Sequence, residues 1–182
     1  MARARDNTQA MLDLLADFDG DFNDFEPIDD DDLDLEALLG RQIPDGHFRA
    51  IGMHGSGSKI ALWRPELAMA WSEAPAVWLD SEGEPMAPIA RSTAELLALL
   101  TMYTGTIYDA IKAAQRSRAA GWRERTAEAI ADTAEEHEDH AAYVDAIAEL
   151  GVEPVVDAYA MIKAALAAFG TVDAWAARFD EA

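Results

Sequence analysis

The sequence predicts an α+β protein, an antiparallel sheet of about four or more strands packed by helices, with an all-helical C-terminal extension. Three observations predict it. Ala76-Val77-Trp78-Leu79 has the β-branched and aromatic character of a strand, and Asp80-Ser81-Glu82-Gly83 after it is turn chemistry. Ser92 with Glu95 three residues on forms a capping box that opens a run of leucines. Beyond Gly121 the chain is rich in alanine, apolar at helical spacing, and broken at Gly151 and Gly170.

Residues 1–16 predict a short helix, with Met11, Leu14 and Leu15 on one face. Residues 17–36 are an acidic run without a single base, and such a block repels itself and is expected to be solvated. Phe18, Phe22, Phe25 and Ile28 would nevertheless share a face if this segment turned helical. Acidic-plus-aromatic patterning also marks segments that order on binding. Leu33 to Leu39 predicts a helical turn closed by Gly40.

From Arg41 the composition changes. Ile43-Pro44-Asp45-Gly46 reads as a turn, and His47–Met53 as a strand with Phe48 and Ile51 as core candidates. Gly55-Ser56-Gly57-Ser58 is a loop. Lys59–Trp63 is a second strand, stopped by Arg64-Pro65. Ala76–Leu79 is the third and Ala87–Ala90 a fourth. Short connections predict an antiparallel meander, covered on one face by a helix over Thr93–Tyr103. Helices follow over Ile107–Arg118 (capped by Thr106), Trp122–His137, Glu138–Leu150, Glu153–Phe169 and Val172–Phe179. The chain thus divides into an acidic leader, helical or partly disordered (1–40), a sheet-and-helix domain (41–120) and a helical extension (121–182).

The 182 residues carry 14 Lys and Arg against 35 Asp and Glu, a formal charge of −21. That excess argues against nucleic acid and membrane surfaces as partners, because both need cations against their phosphates. It favours solubility and attraction to a basic protein. The absence of cysteine excludes disulfides, thiolate catalysis and Cys-based metal sites. Asp13 and Asp17 break the apolar stretch near the start, so no signal peptide is expected. No window is expected to reach the ~20 apolar residues of a membrane span. A cytoplasmic location follows as the expectation.

Motifs that could carry chemistry fall short. Asp17-x-Asp19-Gly20-Asp21 suits a hard cation, but Phe22 and Ile28 stand where an EF-hand needs Gly and Glu. In Gly55-Ser56-Gly57-Ser58-Lys59 the lysine follows serine and opens a strand, unlike a phosphate loop. His137 and His140 share a helix face with acids around them, yet HExxH is absent and a solvated face explains the run better. A small metal-dependent enzyme built on that pair is the weaker alternative. Ser58 or Ser81 would act as a nucleophile only with a partnered histidine and an oriented acid. The five tryptophans read as core or interface residues. No catalytic, cofactor-binding or metal residue is predicted.

One resemblance adds to this reading. Gly55-Ser56-Gly57-Ser58, Ala61-Leu62-Trp63, the run from Ala74 to Glu84, Ile89-Ala90 and the leucine helix Thr93–Leu100 together resemble the SUKH superfamily. That superfamily comprises fungal cell-wall-synthesis regulators and their bacterial relatives. In it a strand with an apolar or aromatic run leads into a Ser-Glu-Gly type turn. A helix with an E(F/L)L-L pattern follows, matched here by Glu95 to Leu100, with Leu96 where an aromatic residue is expected. Ile43-Pro44 fits the Ile-Pro that often precedes the sheet. The match spans about residues 43–112, and the acidic leader and helical tail lie outside it.

The resemblance implies an α+β domain without catalysis. Bacterial members are mostly immunity proteins that bind and neutralise a toxin domain, frequently a basic one. A chain at −21 is electrostatically suited to such a partner. The expectation is therefore a cytoplasmic binding protein without cofactor. Its partner-binding candidates are Asp29, Asp30, Asp31 and Asp32 in the leader and Asp80, Glu82 and Glu84 in the turn. A regulatory or scaffold protein of the same fold, without a toxin, is the alternative.

Overall fold

The structure is a computed structural model, which describes residues 8–17, 24–83 and 86–180. Helix α1 (Thr8–Asp17) precedes a short strand β1 (Phe25–Pro27), a 3-10 turn (Asp30–Asp32) and helix α2 (Leu35–Leu39). Four strands follow: β2 (Phe48–His54), β3 (Lys59–Trp63), β4 (Ala76–Leu79) and β5 (Met86–Ala90). The rest is helical: α3 (Thr93–Leu99), α4 (Thr104–Gln115), α5 (Trp122–Glu136), α6 (His140–Glu149), α7 (Ala158–Phe169) and α8 (Val172–Ala176).

The strands pair in chain order, each antiparallel to the next. The expected meander is therefore present, with five strands, in keeping with the expected four or more. The added strand is β1, which comes from the acidic segment. Pairing shifts register between Ala50 and Gly52 on β2, and between Ala76 and Val77 of β4 where they face Ala90 and Pro88. The second irregularity accommodates Pro88, whose missing N–H would weaken a regular ladder.

Side chains alternate between two buried clusters. Ile60, Leu62, Ala76, Trp78 and Ile89 belong to the larger cluster, with α1, α3, α4, α6 and the start of α7. Ala61, Trp63, Val77, Leu79 and Met86 belong to the smaller one, with Leu39 of α2 and Val172 of α8. Both faces of the sheet are therefore covered, where the sequence predicts cover on one. Strands buried on both faces read as continuous apolar runs, and KIALW and AVWL do so. Leu12, Leu15 and Phe25 share the larger cluster with Tyr143, Ile147 and Ile162, so residues from all three predicted segments meet in one core.

Two predicted helices are divided or shortened. The helix expected over Thr93–Tyr103 ends at Leu99, and α4 begins at Thr104, two residues before the expected cap Thr106. The helix expected from Glu153 begins at Ala158. Pro154 restricts the residue before it, and Asp157 accepts the Ala160 N–H at 2.9 Å, which places the cap there. The capping box at α3 is half as expected: Ser92 Oγ accepts the Glu95 N–H at 3.3 Å, but Glu95 reaches back to the N–H of Arg91 rather than of Ser92.

The expectation about apolar windows also needs correction, because Ala158–Phe179 is long and apolar enough by length and composition to cross a membrane. In the fold that run is two helices, broken where Gly170 takes φ +75° and Thr171 caps α8. Its first half packs along β5 and α4. Helix α7 thereby covers β5, the exposed end of the ladder, with Ile162 in one cluster and Phe169 against the other.

Candidate functional site

The acidic segment is a built ledge at the β1 edge of the sheet. Phe25 is 3% exposed and lies in the core. Its ring occupies the space a Cβ on Gly52 would need, at 2.2 Å from that position, so glycine is what lets β1 approach β2. This corrects the shared helical face of Phe25 and Ile28; Phe18 and Phe22 lie outside the described residues. Asp24 takes φ +61°, a left-handed conformation that ends any helix. Pro27 then leads into a turn in which aspartates bond to backbone instead of supporting a helix.

Three aspartates of the ledge have different tasks. Asp32 Oδ2 accepts the Asp29 N–H at 3.3 Å. Asp30 Oδ1 accepts the Ala50 N–H of β2 at 2.6 Å, which ties the 3-10 turn to the sheet. Asp34 Oδ1 accepts the Ala37 N–H at 2.9 Å and caps α2. Asp29, Asp30, Asp31 and Asp32 all remain exposed. Beneath them opens a cleft of about 480 Å³, floored by Leu12, Leu15, Ile28 and Ile51 and flanked by Arg49. Three of the four predicted leader residues, Asp29, Asp30 and Asp32, thus line this cleft, and Asp31 stands exposed beside them.

The turn after β4 differs. Asp80 is 4% exposed, so it is not the surface contact that its sequence context predicts. Its carboxylate accepts the Glu82 N–H at 2.9 Å and the Trp78 Nε1–H at 3.4 Å. A short side chain that folds back on its own turn satisfies donors that would otherwise be stranded. Glu82 is exposed, and Glu84 lies outside the described residues.

The hairpin tips carry an arrangement that sequence reasoning missed. His54 Nδ1 accepts the Ser56 N–H at 3.0 Å and lies 2.8 Å from Ser56 Oγ. That assigns the ring proton to Nε2, which lies 3.2 Å from Asp24 Oδ2 but off the line of a hydrogen bond. Ser56 Oγ is 3.1 Å from Ser58 Oγ, and Ser58 in turn accepts the Ser81 N–H at 3.2 Å. Acid, imidazole and hydroxyls thus stand in sequence beside a cavity of about 200 Å³ walled by Trp78 and Tyr108. Ser58 and Ser81, weighed above as nucleophiles, act here as links between the β2–β3 loop and the β4–β5 turn. Only the pairing of β1 with β2 brings Asp24 to His54, so no local pattern announces the contact.

His140 is buried and donates from Nε2 to the Thr101 carbonyl at 2.9 Å, which holds the start of α6 against the end of α3. Among the described residues no three His, Asp or Glu converge as metal ligands. Comparison with family models, with curated proteins and with solved structures finds no match for this chain.

Proposed function

We propose that the chain is a non-catalytic cytoplasmic binding protein of the SUKH kind, an immunity protein whose acidic ledge docks on a basic toxin domain. The observation that carries this reading is the anchoring of Asp29–Asp32. The charges are not on a loose linker: Asp30 is bonded to the sheet, Asp34 caps α2, and Phe25 is sunk in the core. A rigid row of carboxylates loses little freedom on binding. It also steers a cationic partner, raising association rates in a salt-dependent way. Leu12, Leu15, Ile28 and Ile51 at the base of the cleft add apolar contact beside the charges. The antiparallel meander followed at once by the capped leucine helix α3 supports the resemblance on the fold side.

The test has two stages. Tagged protein retains partners from source-cell lysate at low salt, and bound proteins are released by high salt. The reading expects a basic protein whose toxic activity is suppressed by an equimolar amount of the chain. Its association slows about tenfold when Asp29, Asp31 and Asp32 are all changed to Asn, in line with steering by close charges. Recovery of salt-insensitive neutral proteins alone, or an association rate untouched by those changes, overturns it.

A further inference from the structure

In a chain at −21, five of the 14 cationic residues fall between positions 112 and 125: Lys112, Arg116, Arg118, Arg123 and Arg125. The fold gathers four of them, Lys112, Arg116, Arg118 and Arg125, around one cavity of about 410 Å³ at the corner between α4 and α5. Asp109 is the one acid lining it. Among the described residues none of the five forms an ion pair, although acids outnumber bases by more than two to one.

The bases at the end of α4 have an ordinary explanation, since cations favour a helix C-terminus. Those in α5 do not. Arg123 and Arg125 stand in its first turn, where the helix dipole disfavours positive charge. Glu124 is the one acid of that turn, against two arginines, and Gly121 before the helix offers no capping side chain. The corner is also held in place. Ser117 takes φ +54°, and the Arg118 N–H bonds to the Ala113 carbonyl at 2.9 Å. Lys112 lies over the Tyr108 ring at 3.9 Å and Arg125 over Trp122 at 5.4 Å, so aromatic faces position these cations where carboxylates do not.

We propose that the α4–α5 corner binds a small, multiply charged oxyanion, with pyrophosphate as its simplest representative. Several converging cations call for more than one negative charge, and guanidinium forks match phosphoryl oxygens two at a time. The ligand is small because the field is local. Screening confines the patch to about 8 Å at physiological salt, and an extended polyanion such as nucleic acid would run onto the acidic remainder of the surface.

The experiment is titration calorimetry of the full chain with pyrophosphate, with thermal unfolding in pyrophosphate and in NaCl of equal ionic strength. The expected result is saturable binding, and a Tm raised by about 3–5 °C at tenfold excess over Kd relative to the NaCl control. The Arg116→Gln/Arg118→Gln variant, whose changed side chains are exposed, keeps its Tm in NaCl and binds at least tenfold more weakly. Equal Tm in the two salts, or a variant that binds as well, overturns the proposal. So does self-association of the chain, insensitive to pyrophosphate and abolished in the variant, which would make the patch a contact for another copy's acidic face. None of the ledge residues takes part, so this inference stands or falls apart from the proposed function.

Discussion

The two flanks of the sheet use polar side chains in opposite ways. On the β5 side, buried polar groups bind helices to one another. Tyr143 donates to the Leu97 carbonyl at 2.9 Å, Thr126 accepts the Ala158 N–H at 3.1 Å, and Thr133 accepts the Tyr103 N–H at 3.0 Å. Each bond joins two helices, or a helix to the residue that caps its neighbour. On the β1 side, Asp32 and Asp34 bond to nearby backbone and Asp30 to the Ala50 N–H of β2, while all three remain exposed. The difference teaches that polarity on one flank is consumed by folding, whereas on the other the carboxylates keep their charge at the surface.

Substitutions that separate the flanks sharpen this contrast. The largest effect is expected at Tyr143, which is 1% exposed. Tyr143→Ala removes a buried aromatic ring and should lower unfolding free energy by about 3–5 kcal/mol, as read by denaturant titration. Tyr143→Phe retains the ring but strands the Leu97 carbonyl, for a loss of about 1–3 kcal/mol.

The same residue makes a prediction about pH. Burial pushes the Tyr143 phenol far above its usual value, so the folded state holds the proton that the unfolded chain releases from about pH 10 upward. Its contribution is full below that pH and is lost as pH rises, at up to about 1.4 kcal/mol per pH unit. Denaturation midpoints measured from pH 8 to 11 should fall more steeply for the native chain than for Tyr143→Phe. Parallel curves would show that the phenol is not sealed from water.

Gly52→Ala tests the other flank. The new methyl meets the Phe25 ring and the Glu26 carbonyl, so β1 must lift, at about 1–3 kcal/mol of overpacking. Hydrogen exchange should show loss of protection near β1 while α3 to α7 stay protected, and uniform loss across the chain would contradict separate flanks. Asp30→Ala should cost about 1–2 kcal/mol by stranding the Ala50 N–H, and partner capture should weaken with it. Asp31→Asn is expected to shift stability by less than about 0.5 kcal/mol while it slows capture of a basic partner. An unchanged capture rate would place the contact elsewhere on the surface.

Much of the sheet is legible in the sequence. Lys59–Trp63 and Ala76–Leu79 have the predicted limits, because apolar continuity, β-branching and the flanking turns all agree locally. Ser92 and Gly40 mark helix ends through short-range bonds, and the structure puts both to that use. The candidate site is legible only in part. Asp29 to Asp32 are exposed as expected, and Asp80 is of the same type yet turned inward. Composition cannot separate the two, since what differs is the set of donors each carboxylate meets.

The sequence by itself determined the α+β class, the order of strands and helices from β2 onward, and the net negative charge. These follow from periodicity, capping and residue count, which act over a few neighbours. Only the tertiary structure decided that the acidic segment adds a strand, that both sheet faces are covered, that His54 meets Asp24, and that four cations share one corner. Each of these depends on residues far apart in the chain, brought together by burial of apolar surface, a force without direction that leaves no signature at either position alone.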